Sequence, residues 1–256
     1  MPYSVRRPHA ILALALATLA AACGSDSSTA PSSQPVTLDQ ALTELSTPAL
    51  SAATASFDVT GAPALPALTA SRCAYQAATQ SFTCTPIVAS GVTTTQSFTL
   101  LDGSGAKQSA FDKATTDAVR ANTTVAGTLL EGAEQFTIDG QQELTLSGLR
   151  TATHTLDGTS TVHITKVGSS PAAVTTVNTT ITGLKLQQPT ADGTHPWPAA
   201  GTIVLEISSS NGGSVFGVIR ATLTFTGSST VNVSLTAAGT STSCAIDLAS
   251  SAPSCK

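Results

Sequence analysis

Charged side chains are scarce in this chain: Asp, Glu, Lys and Arg make up 10% of its 256 residues. Aromatic residues make up only 4%, with a single tryptophan, and no basic run extends beyond the pair Arg6 and Arg7. Binding to nucleic acid depends on phosphate contacts from many Lys and Arg side chains. We therefore predict that the protein has no nucleic-acid partner.

Small residues take the place of the missing charged and aromatic ones, chiefly Thr, Ser, Ala and Gly. Such a mixture suits β-strands whose outward faces carry short polar side chains. Val, Ile, Leu and Phe recur along the chain at regular intervals, which is not the pattern of a disordered segment. The composition favours a folded domain rich in β-structure.

The first 23 residues have the features of an export signal. Arg6 and Arg7 form a positive start, residues 10–19 are an apolar stretch too short for a good permanent membrane span, and Ala20–Ala22 precede Cys23. The segment resembles the lipobox signal of bacterial lipoprotein precursors, although alanine rather than leucine stands three residues before the cysteine. The resemblance covers only this segment and implies cleavage before Cys23, its acylation with fatty acids such as palmitate, and a membrane anchor.

Two other interpretations of the N-terminus stay open. An ordinary secretory signal cut after an Ala-x-Ala site would leave Cys23 as a spare thiol. Arg6 and Arg7 also suggest a twin-arginine signal, but the neighbouring Val5 and Pro8 fit that motif poorly. By resemblance to the sorting rules of Gram-negative lipoproteins, Gly24 after the cysteine implies the cell outer membrane.

Residues 24–36 (GSDSSTAPSSQPV) are small, polar and rich in proline and serine, which is typical of a flexible tether. Fully extended, they would reach roughly 40 Å at about 3.3 Å per residue. Loss of residues 1–22 would remove two of the 11 basic residues and leave 9 against 15 acidic ones, a net charge of −6. We divide the chain into a signal peptide (1–22), a lipidated cysteine with its tether (23–36) and a single β-rich domain (37–256).

The other four cysteines form two similar pairs, Cys73 with Cys84 and Cys244 with Cys255, each with ten residues between its members. An even set of cysteines in an exported chain indicates disulfides. Each segment has the pattern strand, turn, strand, so that its cysteines would face each other across a hairpin. We predict these two local disulfides among the three possible pairings.

A capping-box pattern begins at Thr37 and predicts a short helix or broken helical pair over residues 38–55. After Phe57 the apolar residues alternate with polar ones, as in half-buried antiparallel strands. This alternation is clear at Phe98 and Leu100, Val119 to Val125, Leu144 and Leu146, Ile203 to Ile207, and Val231 to Leu235. Turn signals separate the segments at Asp102-Gly103, Asp139-Gly140, Asp157-Gly158, Asn211-Gly212-Gly213 and Gly227-Ser228-Ser229.

These patterns predict a mainly β fold of roughly ten to twelve strands in a meander. The expected product is a large antiparallel sheet curled into a roll, sandwich or open barrel, with the short N-terminal helix on its concave side. In its order of elements this outline resembles the lipoprotein-carrier class of envelope proteins. That resemblance implies a curved sheet around an apolar cavity, and no motif adds to it.

Few residues suggest chemistry. His154 and His163 flank the expected turn at Asp157-Gly158 and would share one face of a hairpin, where we expect two solvent-facing imidazoles rather than a metal site. Trp197 lies in a proline-rich loop and is either a plug of the core or a lip at the mouth of a ligand site. Glu131 and Glu134 fit the solvated edge of a turn better than a carboxylate pair.

We find no catalytic motif and predict no catalytic residue, metal or cofactor. The leading hypothesis is a non-catalytic, lipid-anchored envelope protein with a structural or surface-interaction role. The alternative is a carrier for a hydrophobic ligand, with Trp197 as its candidate binding residue. Partners would then be the membrane through the anchor, and a hydrophobic ligand or an envelope protein. An enzyme is a third hypothesis, for which the two histidines are the only clue.

Overall fold

The computed structural model describes residues 70–131, 134–168, 173–187, 197–211, 214–237, 239–247 and 252–255. The predicted signal peptide, Cys23, the tether and the helix expected at 38–55 lie outside the described residues. So do His195 and Pro196, which precede Trp197 in its loop.

Fourteen strands follow one turn of 3-10 helix at Ala70–Arg72. They are β1 (Cys73–Gln76), β2 (Ser81–Cys84), β3 (Ile87–Ala89), β4 (Val92–Asp102), β5 (Lys107–Gln108), β6 (Thr116–Glu131), β7 (Glu134–Ser147), β8 (Thr153–Lys166), β9 (Ala173–Gln187), β10 (Ala200–Asn211), β11 (Ser214–Phe225), β12 (Thr230–Ala237), β13 (Thr240–Asp247) and β14 (Ala252–Cys255).

All of these strands belong to one antiparallel sheet, in the order β1-β2-β4-β6-β7-β8-β9-β10-β11-β12-β13-β14. The two short strands β3 and β5 pair with β4, on either side of its contact with β2. The sheet is not closed, because its two outermost strands, β1 and β14, each pair with one neighbour. The predicted mainly β, antiparallel meander is confirmed, with a few more strands than expected.

Alternation along the strands puts one face of the sheet in the interior, which we call the inward face. In β4, Val92, Phe98 and Leu100 are buried at alternate positions. The register aligns such residues into rows that run across the sheet. One row joins the buried residues Phe98, Ala121, Leu144, Ile181, Ile203, Leu223, Val233 and Cys244 and passes through Gly158.

Two of the predicted turns are wrong, because Asp139-Gly140 lies inside β7 and Asp157-Gly158 lies inside β8. Both glycines are needed for close packing rather than for a turn. A Cβ on Gly140 would lie 2.9 Å from a methyl of Val125, and one on Gly158 would lie 2.2 Å from the carbonyl oxygen of Glu143. The turns predicted at Asp102-Gly103 and at residues 227–229 do fall at the ends of strands or between them, whereas Gly212 and Gly213 lie outside the described residues.

A β-bulge in β9 keeps the inward pattern continuous. Ile181 pairs with Gly158, and Leu184 pairs with Leu156. The two paired residues are therefore three positions apart in β9 but two positions apart in β8. Gly183 lies in the bulge with φ of +58°, and its N–H donates to Oδ1 of Asp157 at 2.6 Å. The extra residue lets both Ile181 and Leu184 point inward although they are three positions apart.

Substitution of the bulge glycine tests the effect of backbone strain on stability, separately from steric contact. Nothing lies within 4 Å of a Cβ built on Gly183 or on Gly217, but only Gly183 has a positive φ. We expect Gly183→Ala to lower the free energy of unfolding by about 1 kcal/mol, because an L-residue is strained in the left-handed region. The matched Gly217→Ala should leave stability unchanged or raise it slightly. Chemical denaturation measures both, and an equal loss in the two variants would contradict the strain argument.

Both edges of the sheet end in a four-residue strand whose cysteine stands opposite a disulfide-bonded cysteine of the next strand. Cys73 and Cys84 are bonded and stand opposite each other in the β1–β2 register, as predicted. Cys244 is also disulfide-bonded, and Cys255 stands opposite it in the β13–β14 register. Pro253 in β14 has no N–H to offer a further strand. Short, tied edges of this kind discourage pairing with other chains.

Three aromatic residues lie together near the first edge. Tyr75, Phe82 and Phe98 are successive partners across β1, β2 and β4. The rings of Phe82 and Phe98 stack with centroids 4.6 Å apart, and Tyr75 tilts against Phe82 at 5.3 Å. Each such pair contributes about 0.5–1.5 kcal/mol beyond its buried area. The first disulfide hairpin is therefore also fixed to the sheet by ring contacts.

Candidate functional site

The structure separates the two histidines that the sequence placed together. Because β8 continues through Asp157-Gly158, His154 and His163 lie nine residues apart on one strand, roughly 30 Å at about 3.3 Å per residue. An odd spacing also puts them on opposite faces. His154 is buried at 1% exposure, whereas His163 is exposed and shares a hydrogen bond of 3.0 Å with Thr176. The expectation of two solvent-facing imidazoles on one face is wrong.

Trp197 is half-buried and packs against the hydrophobic core, just before β10. This position agrees with the core-plug interpretation, and a role in ligand binding stays a prediction. Glu131 and Glu134 face each other at the start of the β6–β7 hairpin, and Glu134 forms an ion pair with Lys166. The exposed Glu134 therefore occupies a solvated strand end.

The described residues contain no group of three or more His, Cys, Asp or Glu side chains placed to hold a metal ion. Among the same residues, no helix is long and apolar enough to span a membrane. Hydrogen bonds lower the pKa of Asp102, first from the Ser104 hydroxyl and then from the N–H groups of Ala106 and Ser104. That carboxylate closes the turn after β4 and so has a structural role.

The unusual feature of the inward face is a row of polar side chains across five neighbouring strands. The register pairs each member with the next, from β4 through β6, β7 and β8 to β9. All five are buried, with exposures between 1% and 8%. We call them the polar row, and its members are Gln96, Thr123, Gln142, Ser160 and Thr179.

Three adjacent members of the polar row have polar atoms without a partner. Within the described part of the chain, no hydrogen bond reaches Nε2 of Gln142, Oγ of Ser160 or Oγ1 of Thr179. Buried polar groups in folded proteins are almost always hydrogen-bonded. Leaving one unsatisfied costs about 1–3 kcal/mol, so three in a line are a considerable local cost. Such a cost calls for an explanation, and a bound group that supplies the missing hydrogen bonds is one such explanation.

Apolar rows flank the polar row on both sides. Leu144 and Ile181 belong to the row on one side, and Val162 and Val177 to the row on the other; each is at most 4% exposed. Beyond β9 the polar row itself continues as the apolar Leu205. None of the described buried side chains is an Asp, Glu, Lys or Arg. The site is therefore a narrow, uncharged hydrogen-bonding strip within an apolar surface.

A second feature lies at one end of the sheet, where the hairpins β3–β4, β6–β7, β8–β9 and β10–β11 turn. The large apolar side chains that are exposed in the described residues all lie near these turns, and we call them the tip rim. Its members are Val88, Leu130, Val167, Val215 and Val218, with exposures between 43% and 77%. Exposed apolar residues are typical of a contact surface where they form one contiguous patch.

Sequence reasoning missed the polar row. Its members are ordinary Thr, Ser and Gln residues in a chain full of them, and each alone fits a half-buried strand. The available signal was the interruption of the apolar pattern: Gln142 comes two positions before Leu144, and Thr179 lies between Val177 and Ile181. Only the strand register shows that these interruptions line up.

In a comparison with known proteins, no protein-family model, curated protein or solved structure matches this chain.

Proposed function

We propose that the protein is an exported, lipid-anchored lipoprotein of the cell envelope that acts as a non-catalytic scaffold for surface interactions. The observation that carries this proposal is the disulfide-tied hairpin at one edge of the sheet, together with the disulfide-bonded Cys244 that stands opposite Cys255 at the other edge. Disulfides persist in oxidising compartments outside the cytosol, which agrees with the export signal before Cys23. The tied edges make the open sheet durable, and the tip rim offers a surface for contact with a neighbour.

The outward face of the sheet agrees with a scaffold more than with an enzyme. Its charged residues form isolated cross-strand ion pairs, such as Arg220 with Glu206 and Arg120 with Glu143, which are largely exposed and contribute little to stability. The two histidines that would have suggested catalysis are on opposite faces of β8. These arrangements support a structural role for the strands that carry them.

The anchor can be tested directly. We expect the full-length chain, expressed in a Gram-negative host, to fractionate with the outer membrane and to incorporate an alkyne-labelled palmitate. Cys23→Ser should abolish both the label and the membrane attachment, because the thiol that carries the lipid is gone. Cys73→Ala should keep the label, which controls for loss of a thiol as such. A labelled Cys23→Ser protein, or an unlabelled wild type, would contradict the proposal.

A second candidate function is a carrier for a hydrophobic ligand, and a specific observation favours it. The inward face combines continuous apolar rows with three unpaired hydrogen-bonding atoms. A binding site for an apolar ligand has this make-up, because a few polar groups in an apolar lining fix the ligand's orientation. The scaffold hypothesis does not require these atoms, so they form the basis of the carrier alternative.

A further inference from the structure

The unpaired atoms of the polar row define what kind of group they would bind. Nε2 of Gln142 is a donor, while the hydroxyls of Ser160 and Thr179 can donate or accept. Ser160 pairs with Gln142 on one side and with Thr179 on the other. Residues directly opposite in adjacent strands have Cβ atoms about 4.5–5.5 Å apart. One small group with an oxygen acceptor can therefore lie within reach of two or three of these donors.

The charge of the site selects among such groups. None of the described buried side chains is a Lys or Arg that could balance a carboxylate or a phosphate at the polar row. Burying an unpaired anion is far more costly than burying a neutral ester or alcohol oxygen that is hydrogen-bonded. Arg120 in β6 and Lys166 in β8 are partly exposed and paired with carboxylates. The site therefore favours an uncharged acceptor.

The surroundings define the rest of the ligand. The rows of Leu144 and Ile181 on one side and of Val162 and Val177 on the other are apolar. A hydrocarbon chain attached to the polar group would lie against them and would gain stability through burial of its surface. The apolar Leu205 ends the polar row at β10 and limits it to a small group.

We infer that the polar row is a binding site for the ester group of a neutral lipid, whose hydrocarbon chain lies against the flanking apolar rows. This inference rests on the carrier function, not on the scaffold function. The three atoms are covered in the structure, so the ligand reaches them only when the inward face opens. Hydrogen bonds to the ester oxygens then satisfy atoms that otherwise have no partner.

The test uses the exported full-length chain with Cys23→Ser, which removes the lipid anchor and the need for detergent. Radiolabelled methyl palmitate, hexadecane and palmitate are delivered from cyclodextrin, and their partitioning to the oxidised protein is measured. We expect the ester to bind at least tenfold more tightly than the alkane, and the charged palmitate to bind more weakly than the ester. Equal binding of ester and alkane would overturn the inference.

Matched variants identify the site. Thr179→Val and Ser160→Ala should each weaken ester binding about fivefold, because each removes one hydrogen bond. Together they should weaken it about 25-fold, while hexadecane binding changes less than twofold. Thr180→Val, an exposed position next along β9, should change neither. Without ligand, Thr179→Val and Ser160→Ala should raise Tm, because each removes an unsatisfied hydroxyl.

Other outcomes have distinct meanings. A lower Tm in both inward variants would show that the hydroxyls have partners in the protein, which overturns the inference. Ester binding that survives the double substitution would overturn the site but leave the carrier function standing. If the wild-type protein binds none of the three probes, both the site and the carrier function fail. The scaffold proposal is then decided by the labelling of Cys23.

Discussion

Leu156→Ala is expected to lower the free energy of unfolding by about 3–5 kcal/mol, within the range for fully buried leucines. Leu156 has 0% exposure, and its partners in the register are Leu146 on one side and Leu184 on the other, both almost fully buried. It also lies beside the bulge in β9. A loss of this size is a large part of the 5–15 kcal/mol typical of folded domains.

The control is the same substitution at the surface. Leu130→Ala makes the same chemical change at a side chain that is 77% exposed, on the tip rim. Its effect on unfolding should stay within about 0.5 kcal/mol, as for most surface substitutions. Urea denaturation followed by circular dichroism measures both variants. Similar losses would mean that the inward face is not the core of the protein.

Removal of the edge disulfides should lower the free energy of unfolding by an amount as large as that expected for Leu156→Ala. The Cys73–Cys84 bond joins residues 11 apart, and in the chain-entropy argument closure of such a loop contributes about 3 kcal/mol. Cys73→Ala with Cys84→Ala should remove that contribution, and Cys244→Ala with Cys255→Ala should remove a similar one. Because the two hairpins lie at opposite edges, the losses should add to about 6 kcal/mol. Alanine is preferred to serine because Cys84 and Cys244 are buried.

Thermal unfolding of the wild type with and without a reductant provides the comparison. The reduced wild type should behave like the variant that lacks all four cysteines, and each paired variant should lie between it and the oxidised protein. Light scattering should show stronger self-association when an edge hairpin is loosened, because an exposed strand edge pairs with other chains. A wild type whose Tm does not respond to the reductant would refute the role given to the edges.

The alternation of apolar residues was sufficient to predict the class of fold. Segments such as Phe98 to Leu100 and Val231 to Val233 place their side chains inward as expected, since a strand has a period of two. The cysteine spacing also predicted the β1–β2 disulfide, because ten intervening residues suit a hairpin. Both are local properties of the chain, which is why the sequence alone revealed them.

Long-range pairing explains what the sequence did not reveal. Asp157-Gly158 has the composition of a turn, yet Gly158 lies within a long strand because a Cβ there would meet the backbone of Glu143. Because a turn was expected there, His154 and His163 were wrongly predicted to lie on one face of a hairpin. The polar row was hidden for a related reason: Ser160 and Thr179 are neighbours only through the register of β8 and β9. Neither relationship is visible in a window of neighbouring residues.

The meander order of the sheet has a consequence for how the protein folds. From β7 to β13 every strand pairs with the strands just before and after it in sequence. The entropy cost of joining each new strand is therefore that of closing one short hairpin loop, and it does not grow with the size of the sheet. Folds dominated by such local pairing have low contact order and tend to fold quickly. The sheet can thus assemble strand by strand, in the order in which the chain becomes accessible.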